Sequence, residues 1–572
     1  MPLWDRIFRR IGALPAKRVT WGLVCVFAVW VVLDVFVFKV TGGLNHSTYD
    51  AMVRARMLAP APDPRIVVVD IDEASLARMG REFGRWPWPR DTLATVLEHI
   101  ERQQPAAVVW DMLFSDADRL SPGGDAAFDQ AAKRSEHSHF SVVRLPHSND
   151  ADSQIGQSAL PNLWLPAPQQ SVFSGNAAVA DPAGAVSTVA LIPPALPSVA
   201  SGRLGYNNGY VDGDGVLRRY RYVERLHDGT AIQSLPLSVL SAMNLPAANA
   251  YLAHASTHPD ANDELIVWPR SAEAYPHVSF ADVFAQADGA RPQAPVPSFT
   301  GKVVVIGATA PSLHDIHPTP LSNMQAGVDS LAAVLDNALN QRHVHELSRG
   351  LQAAMAIALC IALALWVQFK SAASLAPALL ALPAALLGLS YLSLNGASIF
   401  VDLHLSAALA LVFLAVLRFW NTLRRVHWCS APAAEPLMLW PLQGRDAWLE
   451  ASLDRLIDAV ERHAPQCRVV VCDSNVVWPA TLRWPELACF AAIVGPAHAM
   501  PRAVSLLAPA IDHLLLRSAA PVVIGVSASV SASEDTPAAQ IAGQRRALAQ
   551  HAYQAWAALG QGGSATQAQR YH

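Results

Sequence analysis

The segment RIVVVDIDEASLARMGREFGRWPWPRDTLATVLEHIERQQPAAVVWDMLF (residues 65–114) decides the fold of the central part of the chain. Its ends, residues 65–71 and 106–114, are short apolar runs rich in β-branched side chains, which is typical of buried strands. Between them, residues 91–103 carry apolar side chains at helical spacing. A strand, a helix and a second strand in this order predict a parallel crossover, and therefore an α/β fold.

Later segments extend this fold. GKVVVIGA (301–308) predicts a third buried strand, whereas residues 145–200, rich in Pro, Ala, Ser and Gln, predict irregular loops with short strands. YNNGYVDGDGVLRRYRYVE (206–224) predicts a hairpin, because Asp-Gly pairs lie between alternating runs. Asp212 and Asp214 invite a calcium interpretation, but the further ligands and the distal Glu of a calcium loop are missing, which favours a turn.

Four apolar segments flank this region, and each is close to the roughly 20 residues that cross a bilayer. They are residues 21–40, 350–369, 372–394 and 399–420. Residues 1–20 carry five Lys and Arg, which predicts a cytoplasmic N-terminus and an uncleaved signal anchor. Residues 41–349 are then extracytoplasmic, and both termini are cytoplasmic. We expect a multi-pass protein of a bacterial inner membrane, with the lipid bilayer as its surroundings.

The composition agrees with a membrane protein and excludes other classes. Charged residues make up 15% of the chain, against roughly 25% on average. A net charge of −4 gives no reason to expect a nucleic-acid partner. All six cysteines lie outside residues 41–349, which predicts no disulfide there, and no cysteine spacing resembles a zinc site. We predict no metal, no cofactor and no catalytic residue.

Five blocks of sequence, in order, resemble the second type of CHASE domain, an extracytoplasmic sensory module of bacterial signalling proteins. The blocks are YDAMVRAR (49–56), DIDEASLARMGREFGRWPWPRDTLATVL (70–97), AAVVWDMLFSDAD (106–118), GYNNGYVDGDGVLRRYRY (205–222) and FTGKVVVIGATAPSLHDIHPTPLSNMQAGVDSLAAVLDNAL (299–339). One apolar segment before the domain and three after it also match the family layout. The resemblance implies an input domain that signals as a homo-oligomer, and it names no ligand.

Polar side chains follow the three predicted strands. The candidate ligand groups are Asp70, Asp72, Glu73, Asp111, Thr309 and Asp315. Because ligands of open α/β sheets bind beyond the carboxyl ends of the strands, these groups could hold a cation or an amine. The alternative is structural, with Asp72 or Ser75 capping one helix and Asp91 the next. Arg90 and Arg218 are then the ion-pair partners of the strand-end acids, whereas in the ligand-binding interpretation both are candidate ligand-binding residues themselves.

The motif FGRWPWPRDTL (83–93) joins the first strand to the following helix. Its prolines hold Trp86 and Trp88 in an extended conformation, which predicts a loop packed over the edge of the sheet. A ligand clamp made of Trp86, Trp88 and Arg90 is the alternative. In the apolar segments, Asp34 either faces a partner or snorkels outward, and Asp402 and His404 are plausible partners for it.

Residues 430–560 alternate predicted strands with amphipathic helices, which indicates a small parallel α/β domain, followed by a loose end at 561–572. No kinase, cyclase or nucleophile-elbow motif is present, although Asp473, Ser474, His498 and Glu534 lie at predicted strand ends or in loops. We therefore predict a sensor that relays a stimulus to a non-catalytic tail with a protein partner. The alternatives are a structural subunit of an envelope complex and an enzyme with a divergent output domain.

Overall fold

The computed structural model forms two compact units. The large α/β unit comprises residues 42–347 and 390–401, and the second unit comprises residues 1–41, 348–389 and 402–572. The structure describes residues 11, 13–38, 42–118, 121–165, 188–226, 230–257, 263–369, 375–428, 437–443, 450–471, 490–514, 516–518 and 521–524.

Most strands are short, and the longest of them form two sheets, one in each unit. The strands are β1 (Ile66–Ile71), β2 (Ala107–Trp110), β3 (Ser138–Arg144), β4 (Leu191–Ile192), β5 (Arg203–Tyr206), β6 (Arg219–Arg221), β7 (Val223–Arg225), β8 (Ala231–Gln233), β9 (Asp263–Leu265), β10 (His277–Ser279), β11 (Val303–Ala308), β12 (Ile316–His317), β13 (Gln325–Ala326), β14 (His345–Glu346), β15 (Ile399–Phe400), β16 (Leu437–Gln443), β17 (Arg468–Val471), β18 (Phe490–Pro496), β19 (Arg517–Ser518) and β20 (Val522–Ile524).

The α-helices include four long apolar ones. The helices are α1 (Ala16–Leu33), α2 (Gly42–Arg54), α3 (Glu73–Phe83), α4 (Arg90–Glu101), α5 (Pro122–Arg134), α6 (Pro197–Ala200), α7 (Leu235–Ala242), α8 (Pro246–Thr257), α9 (Phe280–Ala287), α10 (Gly327–Asn340), α11 (Arg349–Phe369), α12 (Leu375–Ala397), α13 (His404–Trp428), α14 (Glu450–His463) and α15 (Met500–His513).

The sheet of the large α/β unit has the order β10-β1-β11-β2-β3-β5 and is parallel throughout, with β4 added antiparallel to β3. Alternation along β1 sends Val67 and Val69 into one apolar core and Ile66 and Val68 into the other. Helices α3, α4, α5 and α9 cover the first face, and α2, α7, α8 and α10 cover the second. The predicted α/β fold is confirmed as a three-layer sandwich.

The predicted strands and crossover are present, but a third strand lies between the first two, which local patterns in the sequence do not show. β1 and β2 run in the same direction, but β11 lies between them and pairs with both. After β2 the chain continues to α5 on one face, whereas after β11 it continues to α10 on the other. Neighbouring strands whose chains leave to opposite faces form the switch point at which ligands bind in such sheets.

The hairpin predicted for residues 206–224 is wrong in its pairing. The Asp-Gly turn forms, with Gly215 at φ +81° and its N–H bonded to the Asp212 carbonyl at 2.8 Å. The flanking strands, however, pair elsewhere: β5 lies beside β3, and β6 lies beside β9. The turn chemistry is local, whereas the choice of partner strand depends on the core.

Four helices are long and apolar enough to cross a membrane: Ala16–Phe38, Arg349–Gln368, Leu375–Ala397 and His404–Arg425. The first of them ends in a π-helical turn at Asp34–Phe38. In the second unit, these helices pack through the buried side chains of Val24, Leu363, Phe413 and Leu414. The four apolar segments of the sequence therefore correspond to four helices, but the last helix begins at His404 and not at 399, because Ile399 and Phe400 pair with β14 as β15.

The sheet after the last apolar helix is antiparallel, which corrects the predicted parallel sheet. Its order is β17-β18-β16-β19, with β20 also beside β16, and every pairing is antiparallel. The reason is that β18 inserts between β16 and β17, the two strands that α14 connects. Among the described residues this is the split β-α-β arrangement of ferredoxin-like sheets. The last predicted helix, Asp473, Ser474, Glu534 and residues 561–572 lie outside the described residues.

Candidate ligand-binding site

A cavity of about 240 Å³ lies at the carboxyl ends of the central strands of the large α/β unit. Asp111 directly follows β2, Asn207 directly follows β5, and Asp315 lies in the segment after β11. The first turns of α10, with Gly327 and Ser330, form the opposite wall. The cavity therefore coincides with the switch point of the sheet.

Asp111 is held by one of its two carboxylate oxygens. Its Oδ1 accepts a hydrogen bond from Asn207 Nδ2 at 2.7 Å, whereas its Oδ2 is buried without a hydrogen-bond partner. Gly307 of β11 permits this packing, because an added Cβ would lie 2.8 Å from Val328 Cγ2 and 3.1 Å from Asp111 Cβ. A buried carboxylate oxygen without a donor is costly, so this atom marks a place that a donor would fill.

Asp111 and Asp315 form an electrostatic pair. Burial and the nearby charge of Asp315 raise the pKa of Asp111 to about 7. Burial also raises the pKa of Asp315, and His317 partly opposes this. The Asp315 carboxylate lies against Gly327, where an added Cβ would be 2.4 Å from Oδ2. Because Gly327 begins α10, the helix dipole favours a negative charge there, so Asp111 is the member that holds a proton near neutral pH.

Asp70 and Thr309 form a satisfied structural contact. The Asp70 carboxylate accepts from the Thr309 backbone N–H at 3.0 Å and from its hydroxyl at 2.7 Å. His277 lies between Asp70 and Asp329, 3.0 Å from each. Burial by itself would lower the pKa of His277, but its hydrogen bonds to Asp329 and Asp70 outweigh this and raise it to about 10. At neutral pH a histidinium therefore lies between these two acids and offsets part of their negative charge.

Asp72 and Glu73 make structural hydrogen bonds at the start of α3. The Asp72 carboxylate accepts from the Ser75 N–H at 2.6 Å, so Asp72 is the predicted N-cap of α3. Exposed Glu73 accepts from the Ser312 N–H at 3.2 Å. Asp91 is not the cap of α4, because that helix begins one residue earlier, at Arg90, with Pro89 at the N-cap position.

The two tryptophans of residues 83–93 pack as a folded loop. Trp88 is 2% exposed and lies 5.4 Å from the Phe280 ring, and Trp86 meets Trp88 edge to face at 4.9 Å. Trp88 is therefore part of the apolar core, which favours the packed loop over the ligand clamp. Arg90 pairs with Asp125 and donates to the Asp116 carbonyl. The predicted pairing of Arg90 with the strand-end acids is wrong, because the start of α4 packs against the start of α5.

Arg218 is surrounded by acids of its own neighbourhood rather than by the strand-end acids. Its guanidinium contacts Asp50 at 2.7 Å, Asp212 at 2.9 Å and Asp214 at 2.7 Å, and its side chain is 2% exposed. His46, Asp212 and Asp214 are grouped as metal ligands would be, but both aspartates already pair with the Arg218 guanidinium. The structural interpretation of the Asp-Gly turn is therefore favoured.

A family model described as the CHASE2 domain matches residues 24–368. This range covers more than half of the 572 residues. The chain belongs to the CHASE2 domain family. CHASE2 is an extracellular sensory domain, so the large α/β unit has the fold of a sensory module. No curated protein and no solved structure matches the chain.

The CHASE2 match begins inside the first apolar helix and ends inside the second. Asp34, in the π-helical turn of the first helix, is 1% exposed, which favours an inward-facing carboxylate over one that snorkels outward. The side chains of Asp402 and His404 are also largely covered, 8% and 5% exposed, and contact one another. A direct partner relation between these two residues and Asp34 stays a prediction.

The sequence indicated that acids lie at the edge of the CHASE2 sheet. It did not indicate which other residues would pair with these acids. His277 is an isolated histidine in the sequence, and no neighbouring residue indicates that it pairs with both Asp70 and Asp329. Asn207 lies inside a motif that was interpreted as a hairpin. Of the ten candidate ligand groups, only Asp111 and Asp315 line the cavity.

Proposed function

We propose that the chain is a multi-pass sensor of a bacterial inner membrane. The large α/β unit faces the outside, four helices cross the membrane, and the C-terminal sheet domain faces the cytoplasm as a non-catalytic output. The CHASE2 match, the four apolar helices and the basic residues before the first of them support this proposal.

The observation that best supports signal relay through the membrane is the way residues 390–401 pack. This connection between the third and fourth apolar helices belongs to the large α/β unit. Leu394 and Phe400 are buried in its core, and Phe400 lies edge to face with Tyr49 at 5.0 Å. β15 pairs with β14. A rearrangement of the sensor core therefore acts directly on a segment that continues into α13.

Hydrogen bonds tie this connection to the segment that follows the first apolar helix. Tyr391 Oη donates to the Ala55 carbonyl at 2.7 Å, and the Met57 N–H donates to Asn395 Oδ1 at 3.0 Å. Helix α10, which lines the cavity, belongs to the same apolar core as Tyr49 and Phe400. A ligand that displaces α10 would therefore change contacts of both membrane-proximal segments.

The far end of α13 is built into the C-terminal domain. Trp428 lies in the core of that domain. Arg424 contacts Asp458 at 2.6 Å, and Arg425 contacts Asp454 at 3.0 Å, both on α14. One helix thus runs from the connection at 390–401 to the core of the output domain. A protein partner of that domain and a homo-oligomeric state complete the proposal, and a structural envelope subunit or a divergent enzyme are the alternatives.

Cysteine labelling in intact bacterial spheroplasts tests the topology. In a variant without the natural cysteines, Arg134→Cys places a thiol at a side chain that is 60% exposed in the large α/β unit. The matched control, Arg462→Cys, places one on the exposed face of α14. We expect a membrane-impermeant maleimide to label the first in intact spheroplasts and the second only after lysis. Labelling of the second thiol in intact spheroplasts, or protection of the first, would overturn the topology.

A further inference from the structure

We propose that the cavity between Asp111 and Asp315 binds a small organic cation through N–H donors that reach the two carboxyl groups. This inference rests on the proposed function, because it names the class of ligand that the extracytoplasmic unit senses.

Four of the polar side chains in the cavity wall direct their donors to protein acceptors. Asn207 donates to Asp111 Oδ1 at 2.7 Å, and Tyr220 Oη donates to Asn207 Oδ1 at 3.2 Å. Ser141 donates to the Met112 carbonyl at 2.9 Å and Ser330 to the Ala326 carbonyl at 3.3 Å. Asp111 Oδ2 is left as a buried acceptor without a donor. A ligand that fits this wall must bring donors.

The charges of the unit lead to the same conclusion. Eight acids are buried in the large α/β unit, and each has an arginine or histidine ion partner within 4.0 Å. They are Asp50, Asp63, Asp70, Asp150, Glu224, Asp282, Asp329 and Asp336. In the part of the chain that the structure describes, Asp111 and Asp315 have no such partner. The two carboxyl groups of the cavity thus differ from the buried acids of this unit in having no cationic partner.

The space suits an organic cation better than a metal ion. A volume of about 240 Å³ corresponds to about eight water molecules at about 30 Å³ each, far more than a bare ion fills. Leu217, Leu331 and Val334 supply apolar wall for a carbon skeleton. Within the described ranges, the only group of three side chains spaced as metal ligands is His46, Asp212 and Asp214, which is a different site.

Binding of the cation displaces a proton. Near neutral pH Asp111 is partly protonated, because burial and Asp315 raise its pKa to about 7. The titratable groups that face Asp111 across the cavity are Asp315, His317 and Tyr220. A bound cation favours the doubly ionised pair, so the proton leaves to solvent. Because protons compete with the cation for Asp111, binding weakens as pH falls.

Calorimetric titration of the full-length protein in lipid nanodiscs tests the inference. The probes are putrescine, with two primary ammonium groups, and agmatine, with a guanidinium group. We expect saturable binding in the millimolar range or tighter and proton release, detected as a dependence of the heat on the buffer. Asp111→Asn and Asp315→Asn should each weaken binding about tenfold or more. Asp116→Asn, at an exposed acid, is the matched control and should change nothing.

Three comparison compounds separate this inference from its rivals. Tetramethylammonium has the charge without N–H donors, succinate has the opposite charge, and calcium is the metal arm; each should bind more weakly than the probes. The inference is overturned if neither probe binds, if both Asn variants bind as wild type does, or if calcium or succinate binds better. Melting curves without ligand show that the variants are folded. Cysteine labelling decides the topology separately, so the two proposals fail independently.

Discussion

Replacement of Asp111 by Asn removes a buried negative charge and keeps the acceptor that Asn207 uses. The pKa of Asp111 rises from 3.8 to about 7 on folding, and at about 1.4 kcal/mol per pKa unit this corresponds to about 4 kcal/mol. Asp111 retains some surface open to the cavity, so solvent reduces the effect, and we expect about 2 kcal/mol. Above neutral pH, Asp111→Asn should therefore be more stable than wild type.

The pH dependence follows from the sign of the shift. The folded protein holds the Asp111 proton more tightly than the unfolded chain, so the unfolding free energy falls as pH rises from 3.8 towards 7. Below this window both states are protonated, and the cost disappears. Asp111→Asn has no titrating group at this position. The stability difference between variant and wild type should be small at about pH 4 and reach its full value at about pH 8.

Thermal unfolding of the full-length protein in nanodiscs, followed by tryptophan fluorescence, measures this difference. About 2 kcal/mol corresponds to about 4 °C in Tm for a unit of this size. Asp116→Asn, at an exposed acid, should leave Tm unchanged at both pH values. A Tm difference that does not vary with pH, or an Asp111→Asn variant less stable than wild type at about pH 8, would refute the reasoning about a buried charge.

Three further predictions follow from the packing and charges of the large α/β unit. Trp88→Ala should lower the unfolding free energy by about 3–5 kcal/mol, because the ring is buried in the core. Trp86 is half-buried, so Trp86→Ala should lower it clearly less. Equal losses in denaturant titrations would contradict the packed loop. His277→Gln leaves two buried aspartates without their cation and should lower the unfolding free energy by about 3 kcal/mol at neutral pH. In thermal melts this loss should shrink as pH rises through about 10. A loss that does not vary with pH would argue against a histidinium. Gly327→Ala places a Cβ 2.4 Å from Asp315 Oδ2 and should weaken putrescine binding in the titration about tenfold; wild-type affinity would show that Asp315 is not a contact.

Local patterns of the sequence were sufficient for elements whose cause is local. The β-branched run before Asp70 forms β1 (Ile66–Ile71), and Asp72 caps α3 through the Ser75 N–H. The four apolar segments form four helices of membrane-crossing length. In each case the period of the apolar side chains or one side-chain hydrogen bond decides the outcome, and both can be recognised within a few residues.

Sheet partners were not predictable in this way. The pattern of the C-terminal domain shows a strand, a helix and a strand, but not that β18 inserts antiparallel between β16 and β17. The same limit applies to β11, which separates β1 from β2 across a gap of almost two hundred residues. Which strand fills a gap depends on how the apolar faces of distant segments pack, and that information is not local.

The candidate site shows most clearly which features follow from the sequence alone and which depend on the tertiary structure. The sequence by itself determined that acids follow the strands and that these strand ends meet at one edge of an α/β sheet. Only the tertiary structure decided which acids are neutralised: His277, about two hundred residues from Asp70, supplies its cation, whereas Asp111 and Asp315 face one another across a cavity. The physical reason is that the pKa and the binding capacity of a carboxyl group depend on burial and on charges within a few ångströms, and folding brings those charges from distant parts of the chain.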